Sequence, residues 1–200
     1  MKTQTKQIQE NLTPHIAHTI LAEGNKRFVQ NLKAQRDLKQ QVLDTSNGQY
    51  PFAVILSCID SRVPAELVFD QGIGDVFSVR VAGNVINEDV LGSIEYGCKV
   101  AGSKIVVVLG HTKCGAVTAA CNHVELGNIT ALLSKIQPAV KAVGKETTPE
   151  AIEETAIVNV HLSIDRIRIE SPILAEMEKN EEIEIVGASY DVNSGEVTFL

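Results

Sequence analysis

The sequence predicts an α/β fold in which a central, mostly parallel β-sheet is flanked by helices. Two runs of strand length, Phe52 to Leu56 and Lys104 to Gly110, consist almost entirely of apolar residues. Strands that are apolar on both faces are typical of parallel sheets covered by helices on each side. The segments between these runs carry apolar residues at helical spacing, which supports the same fold class. Because ligands of such sheets bind beyond the carboxyl ends of the strands, we expect a functional site at that edge.

The chain is predicted to begin with an N-terminal helical arm over residues 1–40. Apolar residues recur at helical spacing from Pro14 to about Ala34, which indicates one amphipathic helix or a pair of helices. Thr13 is suited to cap a helix whose first residue is Pro14. An α/β core over residues 50–200 is expected to follow, and residues 1–200 are predicted to form a single domain.

The core is predicted to alternate between strands and helices after its first strand, Phe52 to Leu56. Alternating apolar and polar residues favour a second strand before the break at Gly83-Asn84. In chain order, the later predicted elements are a strand over Asp75–Val81, a helix over Asn87–Val100, a strand over Lys104–Gly110, helices over Ile129–Val143 and Pro149–Ile169, and a C-terminal helical and strand extension that ends in the strand pair Glu182–Asp191 and Glu196–Leu200.

Composition and charge exclude several function classes. Two hundred residues, of which 44% are hydrophobic, are enough to form one well-buried core. The formal net charge of -7 opposes binding to nucleic acid and to anionic membranes, so we expect neither partner. No apolar run approaches the roughly 20 residues of a membrane-spanning helix, and Met1 to Thr13 is polar, without a hydrophobic signal segment. A cytoplasmic location is therefore expected.

Two short clusters supply the side chains of a metal site. Cys58-Ile59-Asp60-Ser61-Arg62 follows the first predicted strand, and His111-Thr112-Lys113-Cys114-Gly115 follows the strand that ends at Gly110. Zinc in proteins is bound by four ligands drawn from Cys sulfur, His nitrogen and carboxylate oxygen. Each cluster offers two such ligands. The sequence therefore predicts one zinc ion held jointly by Cys58, Asp60, His111 and Cys114.

The spacing within each cluster agrees with a shared site. In an extended chain, side chains two residues apart lie on the same face, so Cys58, Asp60 and Arg62 would project together. The two ligands of His111-x-x-Cys114 meet on a turn or on the first turn of a helix. A carboxylate is the most replaceable ligand of the set, and Arg62 offers it another partner when it leaves the metal. Asp60 and Arg62 are therefore predicted to act as a gate at the fourth zinc position.

The four cysteines, Cys58, Cys98, Cys114 and Cys121, allow other interpretations. Two disulfides are disfavoured by a reducing compartment and by a chain large enough for a proper core. Cys98 and Cys121 are interpreted as small, buried apolar residues. A redox role, with Cys114 as a low-pKa thiolate at a helix start, is an alternative, although no second cysteine lies at CxxC spacing.

These motifs resemble those of the β-class carbonic anhydrases over most of the chain. The matching segments, in chain order, are Glu23–Phe28, Cys58–Pro64, Val79–Asn84, His111–Gly115 and Tyr190–Leu200. Members of that family carry a zinc ion bound by two Cys and one His, with an Asp that is either the fourth ligand or the partner of a nearby Arg. The resemblance implies a Zn2+ cofactor and assigns these roles to Cys58, His111, Cys114, Asp60 and Arg62.

The resemblance also implies a substrate pocket and an oligomer. The family's pocket positions fall on Gln49, Phe77, Ala82, Tyr96 and Gly115. In family members the glutamine and the apolar wall commonly come from a partner subunit, so a homodimer or a tetramer is implied. One subset of the family has an inhibitory bicarbonate pocket. This chain retains Arg80 of that pocket but has Ile55 where the subset has Trp, which puts such regulation in doubt.

The activity implied by the resemblance is the reversible hydration of carbon dioxide to bicarbonate and a proton. A zinc-bound hydroxide would attack CO2, while Asp60 and Arg62 gate and orient the metal-bound water. Other functions stay open from the sequence: a carbon disulfide hydrolase that shares every metal ligand, a non-catalytic zinc-binding assembly protein, and a zinc site that only stabilises the fold. Asp60 argues against the last, since structural zinc sites favour Cys and His alone.

Overall fold

A five-stranded sheet forms the centre of the computed structural model, which describes residues 3–144 and 147–200. The first two residues of the predicted arm lie outside the described residues. The strands are β1 (Ala53–Ser57), β2 (Val76–Arg80), β3 (Ile105–His111), β4 (Glu184–Tyr190) and β5 (Val197–Phe199), arranged in the order β2-β1-β3-β4-β5. Strands β1 to β4 pair in parallel, and β5 runs antiparallel to β4. The predicted mostly parallel sheet and the terminal strand pair are confirmed.

The two central strands are buried on both faces, as their apolar sequences predict. Every residue of β1 and β3 is buried, whereas β2, at one edge of the sheet, is only partly covered. Alternate residues of β1 face opposite sides: Val54 and Leu56 belong to one core cluster, and Ala53 and Ile55 belong to another. Burying one large aliphatic side chain stabilises a fold by about 1.5 to 3 kcal/mol. The sheet is therefore held between two apolar layers.

Helices cover both faces of the sheet. Within the described residues they are α1 (Lys6–Glu10), α2 (Pro14–Val29), α3 (Leu38–Thr45), α4 (Ala65–Val68), α5 (Glu88–Glu95), α6 (Gly115–Cys121), α7 (Gly127–Leu133), α8 (Gln137–Val143), α9 (Pro149–Glu170) and α10 (Pro172–Lys179). Helices α2 and α4 pack on one face, and α5, α9 and α10 pack on the other. No helix in the described part of the chain is long and apolar enough to cross a membrane.

Helix α2 begins where the sequence predicts and ends earlier. The hydroxyl of Thr13 accepts a hydrogen bond from the backbone N–H of Ile16 at 3.3 Å, so the predicted cap is confirmed. The helix stops at Val29 because the chain turns at Asn31, whose backbone is left-handed with φ 55°. The segment from there to Ala34 is not helical, contrary to the prediction.

The single helix predicted over Ile129–Val143 is wrong, because α7 and α8 are separate helices. Pro138 lies in the first turn of α8. A proline has no backbone N–H, and its ring crowds the carbonyl four residues earlier, so a helix cannot continue through this position without a break. The helix predicted over Asn87–Val100 also changes character, since α5 ends at Glu95 and a π-helical turn covers Tyr96–Val100.

Helix α9 approaches the sheet closely through Val160. A Cβ atom at Gly110 of β3 would lie 2.6 Å from Val160 Cγ2, and one at Gly187 of β4 would lie 2.8 Å from Val160 Cγ1. These two glycines leave the space that Val160 fills. They thereby fix the position of α9 over the centre of the sheet, beside the edge at which β1 and β3 end.

Candidate metal centre

The two predicted half-sites lie side by side at the carboxyl edge of the sheet. Cys58 directly follows β1, and His111 is the last residue of β3. Strands β1 and β3 are neighbours and pair in parallel. Both half-sites therefore emerge at the same edge, and the adjacency inferred from the sequence is confirmed.

Three of the four predicted ligands come together at this edge. One ligand atom from each of Cys58, His111 and Cys114 lies within 4.8 Å of the other two, and all three residues are buried. Cys114 occupies the N-cap position of α6. The His-x-x-Cys spacing thus places both ligands on the turn that joins β3 to α6, as expected.

The imidazole of His111 is oriented to bind a cation through Nε2. Its Nδ1 lies 2.9 Å from the carbonyl oxygen of Thr112, so Nδ1 carries the ring proton and Nε2 keeps its lone pair. Nε2 is buried and has no hydrogen-bond partner among the described residues. A buried, unpaired polar atom costs about 1 to 3 kcal/mol, which a bound cation would remove. Two sulfur atoms and this nitrogen are a donor set that fits zinc.

The two cysteine thiols titrate as a coupled pair. A hydrogen bond from the Cys114 thiol holds the pKa of Cys58 well below its ordinary value, although burial opposes this shift. The same hydrogen bond, together with burial, raises the pKa of Cys114. The pair therefore gives up one proton more readily than an isolated thiol does. One sulfur is already prepared to carry negative charge, and a bound dication would stabilise the second thiolate.

Asp60 is paired with Arg62 beside these three residues. Its Oδ1 accepts a hydrogen bond from Arg62 Nε at 2.9 Å, and its Oδ2 accepts one from Arg62 Nη2 at 2.7 Å. Hydrogen bonding to Arg62 lowers the pKa of Asp60 to about 2. Oδ2 lies 4.0 Å from His111 Nε2. The Asp60 carboxylate thus lies next to the ligand cluster but is not part of it. Of the two roles that the resemblance implies for Asp60, zinc ligand or partner of Arg62, this geometry corresponds to the second.

Arg62 links the two half-sites. Its Nη2 also donates to the carbonyl oxygen of Lys113 at 3.2 Å. Lys113 has a left-handed backbone with φ 55°, and its backbone N–H donates to the carboxylate of Glu153 on α9 at 2.8 Å. The Asp60–Arg62 pair is therefore tied to the turn after β3, and that turn is tied to α9.

Arg80 holds the loop that carries Cys58 and Asp60. Its Nε donates to the Cys58 carbonyl at 3.1 Å, and its Nη2 donates to the Asp60 carbonyl at 2.7 Å. Sequence reasoning considered Arg80 only for a regulatory pocket and missed these contacts. No local pattern could have indicated them, because a backbone acceptor can belong to any residue type.

The predicted pocket residues are only partly brought together. The rings of Phe77 and Tyr96 meet edge to face, with centroids 6.2 Å apart, and both line an open cavity of about 650 Å³ that Arg80 also borders. Ala82 lies in the turn after β2, and Gly115 begins α6. Gln49 is exposed and precedes β1, so it lies at the opposite end of that strand from Cys58. Within one chain, Gln49 is separated from the metal ligands.

Comparisons with known proteins agree with this geometry. A family model described as carbonic anhydrase matches residues 53–197. Carbonic anhydrase 2 of Mycobacterium tuberculosis is 37% identical over 194 residues, which cover 92% of each chain. A β-carbonic anhydrase structure from Aspergillus fumigatus has TM-score 0.74 and 26% identity, and the match covers 93% of this chain and 89% of that one. A structure from a study of two tetrameric β-carbonic anhydrases of Sordaria macrospora also has TM-score 0.74, with 22% identity and coverage of 93% and 94%. This last likeness concerns the fold alone.

Proposed function

Because this chain belongs to the β-class carbonic anhydrase family, we propose that it catalyses the reversible hydration of carbon dioxide to bicarbonate and a proton with the help of zinc. The observation that supports the proposal is the buried cluster of Cys58, His111 and Cys114 beside the Asp60–Arg62 pair. Three protein ligands would leave a fourth zinc position available to water, which is typical of catalytic zinc sites.

Cys58 Sγ, His111 Nε2 and Cys114 Sγ would hold the metal. When bound, zinc supplies a Lewis acid that allows a water molecule to serve as the nucleophile near neutral pH. Two thiolates offset the charge of the dication, so neighbouring groups must contribute part of the activation.

Asp60 would orient the nucleophilic water. Its carboxylate stays ionised at neutral pH because Arg62 lowers its pKa to about 2. Asp60 therefore accepts a hydrogen bond from the water and directs the remaining lone pair towards CO2; it does not store the proton. Asp60 Oδ2 lies 4.0 Å from His111 Nε2, so a movement of the carboxylate away from Arg62 would bring it to the ligand cluster, which supports the predicted gate.

The proposed activity is tested by stopped-flow CO2 hydration with a pH indicator. Zinc-loaded protein is expected to hydrate CO2, to lose the activity with a chelator, and to recover it with added zinc. Asp60→Asn is expected to lower kcat/KM by about 10- to 100-fold, because the water loses its charged acceptor. Cys58→Ala should abolish zinc binding.

Cys121→Ala is the matched control for the cysteine change. Cys121 is equally buried and belongs to the same core cluster as Cys58, but it is not in the ligand group. This variant should retain zinc and activity. A zinc-loaded wild type without hydration above buffer would contradict the proposed function, and normal turnover of Asp60→Asn would remove the carboxylate from the mechanism.

A carbon disulfide hydrolase would share every metal ligand and differ in the path by which substrate reaches the site. Assaying carbon disulfide beside CO2 on the same preparation separates the two activities. A non-catalytic zinc protein would be inactive on both substrates.

The proposed enzyme is a homodimer or a larger assembly of dimers. Gln49 cannot reach the metal ligands of its own chain, because it lies at the opposite end of β1. Phe77 of β2 is partly exposed, and Tyr96 next to it is exposed. Strand β2 is an edge strand, and no strand of the described residues pairs with its outer side. A partner subunit that packs against this edge would cover the aromatic pair and could bring its own glutamine to the site. The two Sordaria macrospora proteins are tetrameric, which supports the proposal that this chain forms an oligomer. Sedimentation velocity on the zinc-loaded protein measures the oligomeric state.

A further inference from the structure

The turn after β2 contacts the metal centre through one hydrogen bond. Residues Ala82–Asn84 form a 3₁₀ turn, in which the backbone N–H of Gly83 donates to Cys58 Sγ at 3.3 Å. Gly83 has a left-handed backbone with φ 69°, and a Cβ atom there would lie 2.6 Å from Ile136 Cδ1. Glycine alone satisfies both the conformation and the space. The position of Gly83 therefore decides whether this N–H reaches the sulfur.

Helix α9 holds Gly83 from the other side. Asn159 is 4% exposed, and its Nδ2 donates to the Gly83 carbonyl oxygen at 2.9 Å. The next residue, Val160, is the side chain that fixes α9 to the sheet at Gly110 and Gly187. The hydrogen bond thus runs from a firmly placed helix to the residue that donates to Cys58. Asn159 itself is not among the predicted metal ligands.

We propose that Asn159 is a positioning residue of the metal centre, which fixes Gly83 so that its N–H keeps its hydrogen bond to Cys58 Sγ. The inference rests on the proposed function in taking Cys58 as a zinc ligand. A hydrogen bond to a thiolate draws charge away from the sulfur, so this contact tunes how strongly Cys58 donates to the metal. Helix α9 thereby acts on the metal centre without touching the metal.

The test compares Asn159→Leu, which removes the donor, with Ser163→Ala. Ser163 is the matched control because it lies one turn further along α9, is also 4% exposed, and donates to the carbonyl of Asn84 at 3.4 Å instead of to Gly83. Zinc affinity is measured by chelator competition. The cobalt-substituted protein reports on the sulfur through its thiolate-to-cobalt charge-transfer band.

Asn159→Leu is expected to raise the zinc Kd by about 10- to 100-fold, because Cys58 loses the contact that orients it and this loss outweighs the stronger donation by the freed sulfur. The charge-transfer band should move to lower energy, because a sulfur without its N–H donor gives up charge more readily. Ser163→Ala should leave the Kd and the band at their wild-type values. A wild-type Kd and band in Asn159→Leu, or an equal change in both variants, would overturn the inference.

A measurement on the wild type keeps the test valid if Asn159→Leu does not fold. In protein loaded with cadmium-113, a scalar coupling across the Cys58 sulfur is expected between the metal and the Gly83 amide proton. Absence of this coupling would refute the inference. If wild-type protein lacks any thiolate-to-cobalt band, the proposed zinc site fails; a wild-type band that Asn159→Leu leaves in place refutes only the role of Asn159.

Discussion

Asp70 shows how this chain stabilises a buried charge away from the metal centre. It is 5% exposed, and its Oδ2 accepts hydrogen bonds from Arg27 Nε at 2.6 Å and from the backbone N–H of Ala34 at 3.1 Å. Its Oδ1 accepts one from Arg36 Nη1 at 2.7 Å. Burial works to raise the pKa of Asp70, but these partners outweigh it and hold the pKa below its ordinary value. The carboxylate thereby fastens the segment after α2 to the loop after α4.

Replacing this carboxylate should change how stability depends on pH. Because the folded pKa is depressed, the contribution of Asp70 is fully present above its unfolded pKa of about 3.9 and is lost as pH falls through the folded value. Asp70→Asn is expected to lower the free energy of unfolding by about 3 kcal/mol at pH 7, since the arginines lose a buried partner. Urea unfolding at several pH values should show this deficit shrinking below about pH 4.

The exposed residue Asp165 of α9 supplies the control for that series. Asp165→Asn is expected to leave the free energy of unfolding close to the wild-type value at every pH, as exposed charges contribute little. A deficit of Asp70→Asn that stays constant from pH 7 to pH 3 would show that the lost stability does not come from the charge.

At the scale of elements, the packing of α9 depends on shape as much as on hydrophobicity. The buried side of this helix includes Val160 and Ile167, which pack against the sheet. Val160 can approach only because Gly110 has no side chain. The contact is therefore a complementary pair, in which each residue limits the size of the other.

A double-mutant cycle measures this complementarity. Gly110→Ala is expected to destabilise the fold by about 1 to 3 kcal/mol, because the added Cβ would overlap Val160 Cγ2. Val160→Ala also destabilises, through the cavity that it leaves. The double variant should be more stable than the sum of the two changes predicts, as urea unfolding would show. Strict additivity would mean that the two residues do not limit each other.

Gly92 provides the matched glycine for the cycle. A Cβ atom at this exposed position of α5 would have no contact within 4 Å among the residues that the structure describes. Gly92→Ala should therefore stabilise the helix by about 1 kcal/mol, the difference in helix propensity between the two residues. If Gly110→Ala destabilises the fold while Gly92→Ala stabilises it, the loss at Gly110 comes from the lack of space and not from the added methyl group itself.

The elements that the sequence predicts well are those whose signal is local and long. The apolar runs of β1 and β3 and the capped start of α2 are local patterns, and the structure has all three. Helix α4 is too brief to show a period, and no sequence pattern predicts it. Helix α1 lies within the helical arm predicted over residues 1–40, but it is too short for its bounds to be predicted. Pro138 was present as a local signal for the break between α7 and α8, but the apolar spacing on both sides masked it.

The metal centre also has one part that the sequence predicts and another that it does not. Its ligand types are visible in sequence because zinc restricts them to Cys, His and carboxylate. The residues that hold those ligands in place, Arg80, Gly83 and Asn159, act through backbone groups that lie far away along the chain. Such contacts exist only after folding, so no spacing rule could reveal them.

At the scale of the whole molecule, the proposed role of Gln49 would make the active site depend on assembly. A mixing experiment with two variants of reduced activity tests this, one with Asp60→Asn and one with Gln49→Ala. If each site takes Asp60 from one subunit and Gln49 from its partner, a mixed dimer has one site with both changes and one site with neither. A random mixture should then recover about a quarter of the wild-type activity, because half of its dimers are mixed.

The control for this experiment mixes Asp60→Asn with Arg62→Ala. These two residues contact each other within one chain, so no mixed dimer regains an intact site. The activity of this mixture should stay at the level of the two variants measured separately. Equal behaviour of the two mixtures would place Gln49 in the site of its own subunit or outside the site altogether.

The parallel pairing of β1 with β3 has a consequence for how the protein acquires its metal. The two halves of the cluster belong to strands that are separated along the chain by β2, α4 and α5. A nascent polypeptide therefore offers at most two donors at a time, and a tight binding site arises only when the sheet has closed. Contacts between distant segments form slowly. We therefore expect zinc to bind after the sheet has formed and to stabilise the folded chain, so a chelator should speed unfolding more than it slows refolding.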